Sequence, residues 1–348
     1  MAKRDIVVIG ASAGGVEALM RLVATLPSDL DAAICVVLHI PREGPSALPQ
    51  VLSRAGPLRA VVAKDGAPLR PGVIYVAPPD RHLLLQPGRV HLAAGPRENG
   101  HRPAVDALFR SAAREYATRV IGVILSGTLD DGTGGLVAVK MRGGLAVVQS
   151  PDDALYSGMC VSAIEHVRVD HVLPVAEIGA LLTRLVREEA PPAPETSHAQ
   201  TATLEMETDI DDLDPEALGM GQPTGKPSPF ACPDCHGVLW EANDGDLLRF
   251  RCRVGHAYNP ASLHARQGEA LNEALWTAYR ALKEKAALAR RLAARALKKS
   301  LRIEELEEQA REAETQAETV RSVISRGAPP GGGPVSGGNQ GRRRALGA

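Results

Sequence analysis

Five continuous aliphatic runs constrain this 348-residue chain more than any other feature: Ile6–Ile9, Ala33–Leu38, Val73–Ala77, Val120–Leu125 and Leu145–Val148. Runs without polar alternation belong to strands covered on both faces, as in a parallel sheet lying between helices. A helix-like stretch from Val16 to Leu26 follows the first run. Residues 1–187 therefore read as an α/β domain, a doubly wound, mostly parallel sheet with helices on both faces. Between His82 and Leu92 the turn Gln86-Pro87-Gly88-Arg89 predicts an antiparallel hairpin instead. Aromatic residues are only 3% of the chain, so its core must be built from Ala, Val, Leu and Ile.

The first run opens into Gly10-Ala11-Ser12-Ala13-Gly14-Gly15. Such a turn suits either a phosphate-cradling dinucleotide site or a nucleophile elbow. The dinucleotide spacing G-x-G-x-x-G wants glycine where Ser12 stands, and the second run ends in His39 rather than an acid that would hold a ribose. The elbow needs a base, and the base needs an orienting carboxylate. Asp130 and Asp131 follow the Val120–Leu125 run. In a parallel sheet all carboxyl ends share one edge, where ligands bind, so Ser12, His39 and Asp131 converge there as a candidate catalytic triad. Their order differs from the Ser–Asp–His of α/β-hydrolases.

These segments resemble the catalytic domain of chemotaxis protein-glutamate methylesterases, the CheB family. The resemblance rests on the Gly10–Gly15 turn, Val37-Leu38-His39, Ile74-Tyr75-Val76-Ala77-Pro78, His101-Arg102-Pro103-x-Val105-Asp106, Leu125-Ser126-Gly127 through Asp131-Gly132, and Gly158-Met159. It implies hydrolysis of glutamyl methyl esters on methyl-accepting chemoreceptors, and in many members deamidation of glutamine there, with no catalytic cofactor. Ser12 becomes the nucleophile, His39 the general base and Asp131, which directly precedes Gly132, its orienter. The oxyanion is expected near the amides of Ala13–Gly15 and Gly127–Leu129. His101, Arg102 and Asp106 divide evenly between a functional role and a helix-start cap with an ion pair, whereas His82, His166 and His171 read as surface or strand-end residues. The chain departs from the family's usual Thr-Gly-Met-Gly at Ser126-Gly127-Thr128-Leu129. It also carries Ala13 where Thr is common and Cys160 where Pro is common. No receiver domain is expected ahead of the catalytic one.

Past the catalytic domain, residues 188–227 read as a Pro-rich, acidic linker, with eight acidic and no basic residues from Glu195 to Glu216. In the module at 228–261, Cys232-Pro233-Asp234-Cys235 and Cys252-x-x-x-His256 offer four zinc ligands. Sixteen residues separate the pairs, and the two strands of a ribbon fit between them. With no open coordination position, such a zinc is structural. Arg249, Arg251 and Arg253 alternate along the second of these strands and so share a face, suited to an anion such as the acidic linker. Residues 262–326 read as helical, with a bend near Lys299-Ser300. The stripe Leu271, Leu275, Ala278 and Leu282 there serves dimerisation, partner docking or a self-packed hairpin. Residues 327–348 read as a disordered tail.

The net charge of -1 excludes general polyanion binding, so nucleic acid is not an expected partner. No apolar run approaches the ~18–20 residues that cross a bilayer, and no signal-peptide pattern opens the chain. The expected setting is the cytoplasm. The leading expectation is thus a serine hydrolase acting on a methylated signalling receptor. The alternative is a catalytically quiet scaffold that binds signalling partners through the zinc module and helices.

Overall fold

A computed structural model describes residues 3–40, 46–195, 197–214, 217, 225–244, 246–295 and 301–327. The chain divides into two compact units, Met1–Arg266 and Gln267–Ala348.

In the first unit, strands β1 (Ile6–Ala11), β2 (Ala33–Leu38), β3 (Arg59–Val62), β4 (Val73–Val76), β7 (Val120–Ile124), β8 (Leu145–Gln149) and β9 (His171–Leu173) form one sheet. Its order is β3-β4-β2-β1-β7-β8-β9, and every pairing is parallel. The expected hairpin is β5 (His82–Gln86) with β6 (Arg89–Ala93). Two aliphatic cores explain the unbroken apolar runs. Val8, Cys35 and Val37 face one core, which they share with helices α3 (Val105–Tyr116), α4 (Thr133–Met141) and α5 (Gly158–His166). Val7, Ile9, Ile34 and Val36 face the other, with α1 (Gly15–Val23), α2 (Leu48–Ala55) and α6 (Val175–Leu185). The edge strands β3 and β9 were not anticipated: they are short, and Arg59, Val62 and Val172 are exposed.

The span expected as linker contains a helix, α7 (His198–Asp211), opened by a capping box of Ser197 and Gln200. Its apolar content is too small for independent folding, but Leu204 packs into the sheet domain's core. The Cys/His module is a four-stranded antiparallel sheet of β10 (Lys226–Ala231), β11 (Val238–Asp244), β12 (Leu247–Cys252) and β13 (Ala257–Tyr258). Strand β10 was not anticipated: it begins in the last two residues of the expected linker and carries Pro227 and Pro229, yet an edge strand tolerates proline.

Buried charge joins these pieces. Arg110 of α3 lies 2.6 Å from both Glu98 and Asp211. Arg251 reaches Glu98 at 2.7 Å, and Arg249 reaches Glu207 at 2.5 Å. The arginine face thus does meet the acidic stretch, through two residues rather than three: β12 ends at Cys252, and Arg253 turns to solvent.

In the second unit, α8 (Pro260–Arg295, whose first turns belong to the first unit) is followed by α9 (Leu301–Gly327). Ala286, Ala289 and Ala293 are buried, as are Ala310, Ala313 and Ala317. Arg290 pairs with Glu314 at 2.7 Å, and Lys283 lies near enough to Glu318 for its charge to act on that carboxylate. That reversed order is an antiparallel hairpin with a seam of alanines. Of the expected stripe, Leu275 and Leu282 continue this seam at the same three- and four-residue spacing and are half-buried, whereas Ala278 is exposed and Leu271 is 62% exposed. The bend expected at Lys299-Ser300 and the tail past Gly327 lie outside the described residues. No helix among the described residues is long and apolar enough to cross a membrane.

Removing one partner from a buried ion cluster leaves uncompensated charge, at a cost of about 3–5 kcal/mol. Arg110→Leu should therefore lower unfolding stability by about that amount in urea titration. A loss below about 1 kcal/mol would show that the cluster does not hold the first unit together.

Candidate active site

Strands β2, β1 and β7 are neighbours in the sheet, with Ala11 opposite Leu38 and Gly10 opposite Ile124. Their carboxyl ends deliver Ser12, His39 and the loop to Asp131, and that parallel edge is where chain direction switches from one side of β1 to the other. The Ser12 amide donates to Ser126 O at 3.0 Å, tying the two turns together. Positive φ falls on Gly14 (71°), whereas Ser12 is not among the left-handed residues. The turn thus differs from a strained nucleophile elbow, because glycine carries its sharp step. Gly127 is required by close approach: a Cβ there would lie 2.0 Å from Met159 Sδ and 3.0 Å from Ser12 Cβ.

The three side chains meet. His39 Nδ1 lies 3.1 Å from Ser12 Oγ, and His39 Nε2 lies 2.7 Å from Asp131 Oδ2. A carboxylate can only accept, so the ring carries its proton on Nε2 and presents a lone pair on Nδ1 to the hydroxyl. The Asp131 side chain is 2% exposed, and a buried anion must be met by donors. Val105 N–H binds Oδ2 at 2.8 Å, while Asp106 N–H, Gly132 N–H and Asn99 Nδ2 bind Oδ1 at 3.1, 2.9 and 2.8 Å. Two of these amides open α3, so Asp131 sits on the positive end of that helix. Burial alone would raise its carboxyl. The His39 hydrogen bond and charge, with Val105 N–H, outweigh burial and hold it well below the usual range.

Asp130 is turned elsewhere: its carboxylate accepts Ala261 N–H (2.8 Å), Ser262 N–H (3.1 Å) and Ser262 Oγ–H, at the start of α8. Asp106 accepts Gly135 N–H of α4 at 2.6 Å. Burial, then the charge of Asp131, push it up to about 7. Its position is that of a cap, as one of the two readings held. Arg102 pairs with Asp80 at 2.8 Å. His101 stacks on His39, with ring centroids 3.7 Å apart and planes 11° apart. Burial and then His39 push its pKa down to about 4, so at neutral pH the His101 ring that stacks on His39 is uncharged. His82 stands at a strand end, as one of the two readings held, opening β5, and is fully buried between Pro96 O and Ala104 N–H. His166 and His171 are half-buried.

Two amides expected at the oxyanion are already engaged: Gly15 N–H by Ser12 O, and Gly127 N–H by Tyr156 O. Leu129, where the resemblance expects glycine, sits at φ 61°. Cys160, where proline is usual, is buried and its thiol is pushed up to about 12 by that burial.

Cys232, Cys235, Cys252 and His256 hold their ligand atoms within 4.8 Å of one another. Cys235 and Cys252 sulfurs lie 3.6 Å apart, and both Cys232 and Cys252 sulfurs lie 3.7 Å from His256 Nδ1. A tetrahedron of ~2.3 Å zinc–sulfur bonds has edges of about 3.8 Å, so this donor set fits zinc.

Sequence reasoning missed Asn99 and Asn259. Asn99 Nδ2 bridges Asp131 and Asp106, 2.8 Å from each. Asn259 precedes Pro260, a helix-start signal that could have drawn attention to it; for Asn99 no local signal exists.

Serine, imidazole and carboxylate in relay across three neighbouring strand ends of a doubly wound sheet define a hydrolase of the serine type. The comparisons specify which one. The CheB methylesterase family model matches residues 7–182, and the chain belongs to that family. A Leptospira interrogans relative is 38% identical over 182 residues, covering 52% of this chain and 94% of that protein. The protein-glutamate methylesterase/protein-glutamine glutaminase 2 of Anaeromyxobacter dehalogenans is 41% identical over 186 residues, 53% of this chain and 54% of its own. The crystal structure of the Thermotoga maritima CheB methylesterase catalytic domain superposes with a TM-score of 0.51 at 37% identity, covering 53% of this chain and all of that one.

A leucine held in the left-handed region costs roughly 1–2 kcal/mol, partly offset by the extra unfolded-state entropy of glycine. Leu129→Gly should therefore raise stability by about 0.5–1 kcal/mol in urea titration; a loss of stability would mean that the leucine side chain supports the turn.

Proposed function

We propose that this chain hydrolyses glutamyl methyl esters on methyl-accepting chemotaxis receptors in the cytoplasm, and deamidates glutamine side chains at the same site. The observation that carries this reading is the relay from Ser12 Oγ through His39 to Asp131 Oδ2, at 3.1 and 2.7 Å. Ser12 attacks the ester carbonyl as His39 Nδ1 takes its proton, and Asp131 stabilises the imidazolium. The oxyanion forms against Ala13 and Gly14 N–H, at the positive end of α1. His39 returns the proton to the departing methoxide, which leaves as methanol. It then deprotonates the water that cleaves the acyl-enzyme. With a glutamine substrate the leaving group is ammonia, and the later step is the same.

Cys232, Cys235, Cys252 and His256 would hold a structural zinc. The metal fastens two backbone knuckles, in which His236 N–H binds Cys232 O (2.8 Å) and Gly255 N–H binds Cys252 O (2.9 Å). All four positions are filled by protein, so zinc supplies folding energy and no chemistry.

Purified full-length chain, holding about one zinc per molecule, should release methanol from methylated chemoreceptor. Ser12→Ala should lower that release by at least about 10³-fold. Release untouched by Ser12→Ala would overturn the mechanism. No release from folded, zinc-loaded wild type would favour the scaffold instead.

A further inference from the structure

The Cys/His module sends its buried hydrogen bonds to the immediate surroundings of Asp131. Asn99 lies in the loop between β6 and α3, in a left-handed conformation (φ 52°) that asparagine tolerates. Its backbone N–H donates to Ala257 O at 2.7 Å, and Ala257 N–H donates to Arg97 O at 3.2 Å. The loop is thus zipped to β13, which begins one residue after His256. This loop also carries His101 onto the His39 ring. Asn259, three residues past His256, completes the link. Its backbone N–H donates to Asn99 Oδ1 at 2.8 Å. Its side-chain Nδ2 donates to Asp106 Oδ2 at 3.1 Å and to Asp130 O at 3.0 Å.

The chemistry admits one arrangement. A backbone N–H only donates and the ionised Asp131 carboxylate only accepts, so the Asn99 amide must point Oδ1 at Asn259 and Nδ2 at Asp131, which also places Nδ2 against Asp106. Without Asn259 the Asn99 amide loses the partner that fixes its rotation. Asp106 and the Asp130 carbonyl lose a donor at the same time. Asp131 is the next residue after that carbonyl.

We propose, resting on the hydrolase reading above, that Asn259 is a positioning residue for the triad: through Asn99 and Asp130 the module fixes Asp131 and hence the aim of His39. The sheet domain does not need such a module to fold in every relative. All of the Thermotoga catalytic-domain chain is matched by 53% of this one, which leaves no counterpart for the added strands. Here the loop and Asp130 have become tied to those strands, so the module acts on catalysis rather than only on stability.

The test is steady-state hydrolysis of p-nitrophenyl acetate by the full-length chain, with zinc content and thermal midpoint measured on each sample. Asn259→Ala should keep its zinc and lower kcat about tenfold while KM stays unchanged, since alignment of Asp131 and His39 matters in the transition state and not in binding. Asn99→Gly, which keeps the left-handed turn and removes the amide, should show the same split and serves if Asn259→Ala does not fold. Both variants within twofold of wild-type kcat would overturn the proposal, as would a rise in KM at constant kcat. A wild type that neither hydrolyses the ester nor labels at Ser12 with a fluorophosphonate would instead defeat the hydrolase reading itself.

Discussion

Three helix N-termini end on three buried aspartates, and the active site depends on that arrangement. Asp131 accepts the first amides of α3, Asp106 of α3 accepts an amide of α4, and Asp130 accepts the first amides of α8. Each helix start leaves unpaired N–H groups and a partial positive charge, and each buried carboxylate needs donors. Neither requirement can be met by water at these positions, so each fixes the other. Asp131 is therefore a structural cap as well as the partner of His39, and its negative charge is maintained by the same donors that set its direction.

A second layer of charge explains how so many ionic groups are tolerated inside a chain of net charge -1. Glu98, Glu207 and Asp211 face Arg110, Arg249 and Arg251. The acids come from a loop and α7, the arginines from α3 and β12. An isolated ion at any of these places would carry a large desolvation cost. Together they make α7 and the Cys/His module conditional on the sheet domain, and Glu98 lies next to Asn99. Structural charge pairing and the supports of the triad are continuous along that loop.

Much of this was legible in the residues. The apolar runs marked the central strands because both faces of the sheet are covered, and Ser12, His39 and Asp131 could be brought together because parallel strands share one carboxyl edge. Cys232, Cys235, Cys252 and His256 followed from spacing alone. What stayed hidden depends on tertiary partners. Helix α7 looked too polar to fold, and becomes a helix because Arg110 and Arg249 neutralise its acids. His82 gave no sign of burial, since its partners Pro96 O and Ala104 N–H are remote from β5 in sequence. Asn99 and Asn259 are ordinary loop residues until the module brings them together, and the stripe through Leu275 and Leu282 could not by itself separate a self-packed hairpin from dimerisation or docking.

Amide hydrogen exchange read residue by residue on the full-length chain addresses the central claim most directly. If the carboxylates hold the helix starts, Val105, Asp106, Gly135, Ala261 and Ser262 should exchange nearly as slowly as the amides of β1 and β7. Exchange at the rates of exposed turns would mean that the caps are open much of the time, and that Asp131 is held by something other than this network.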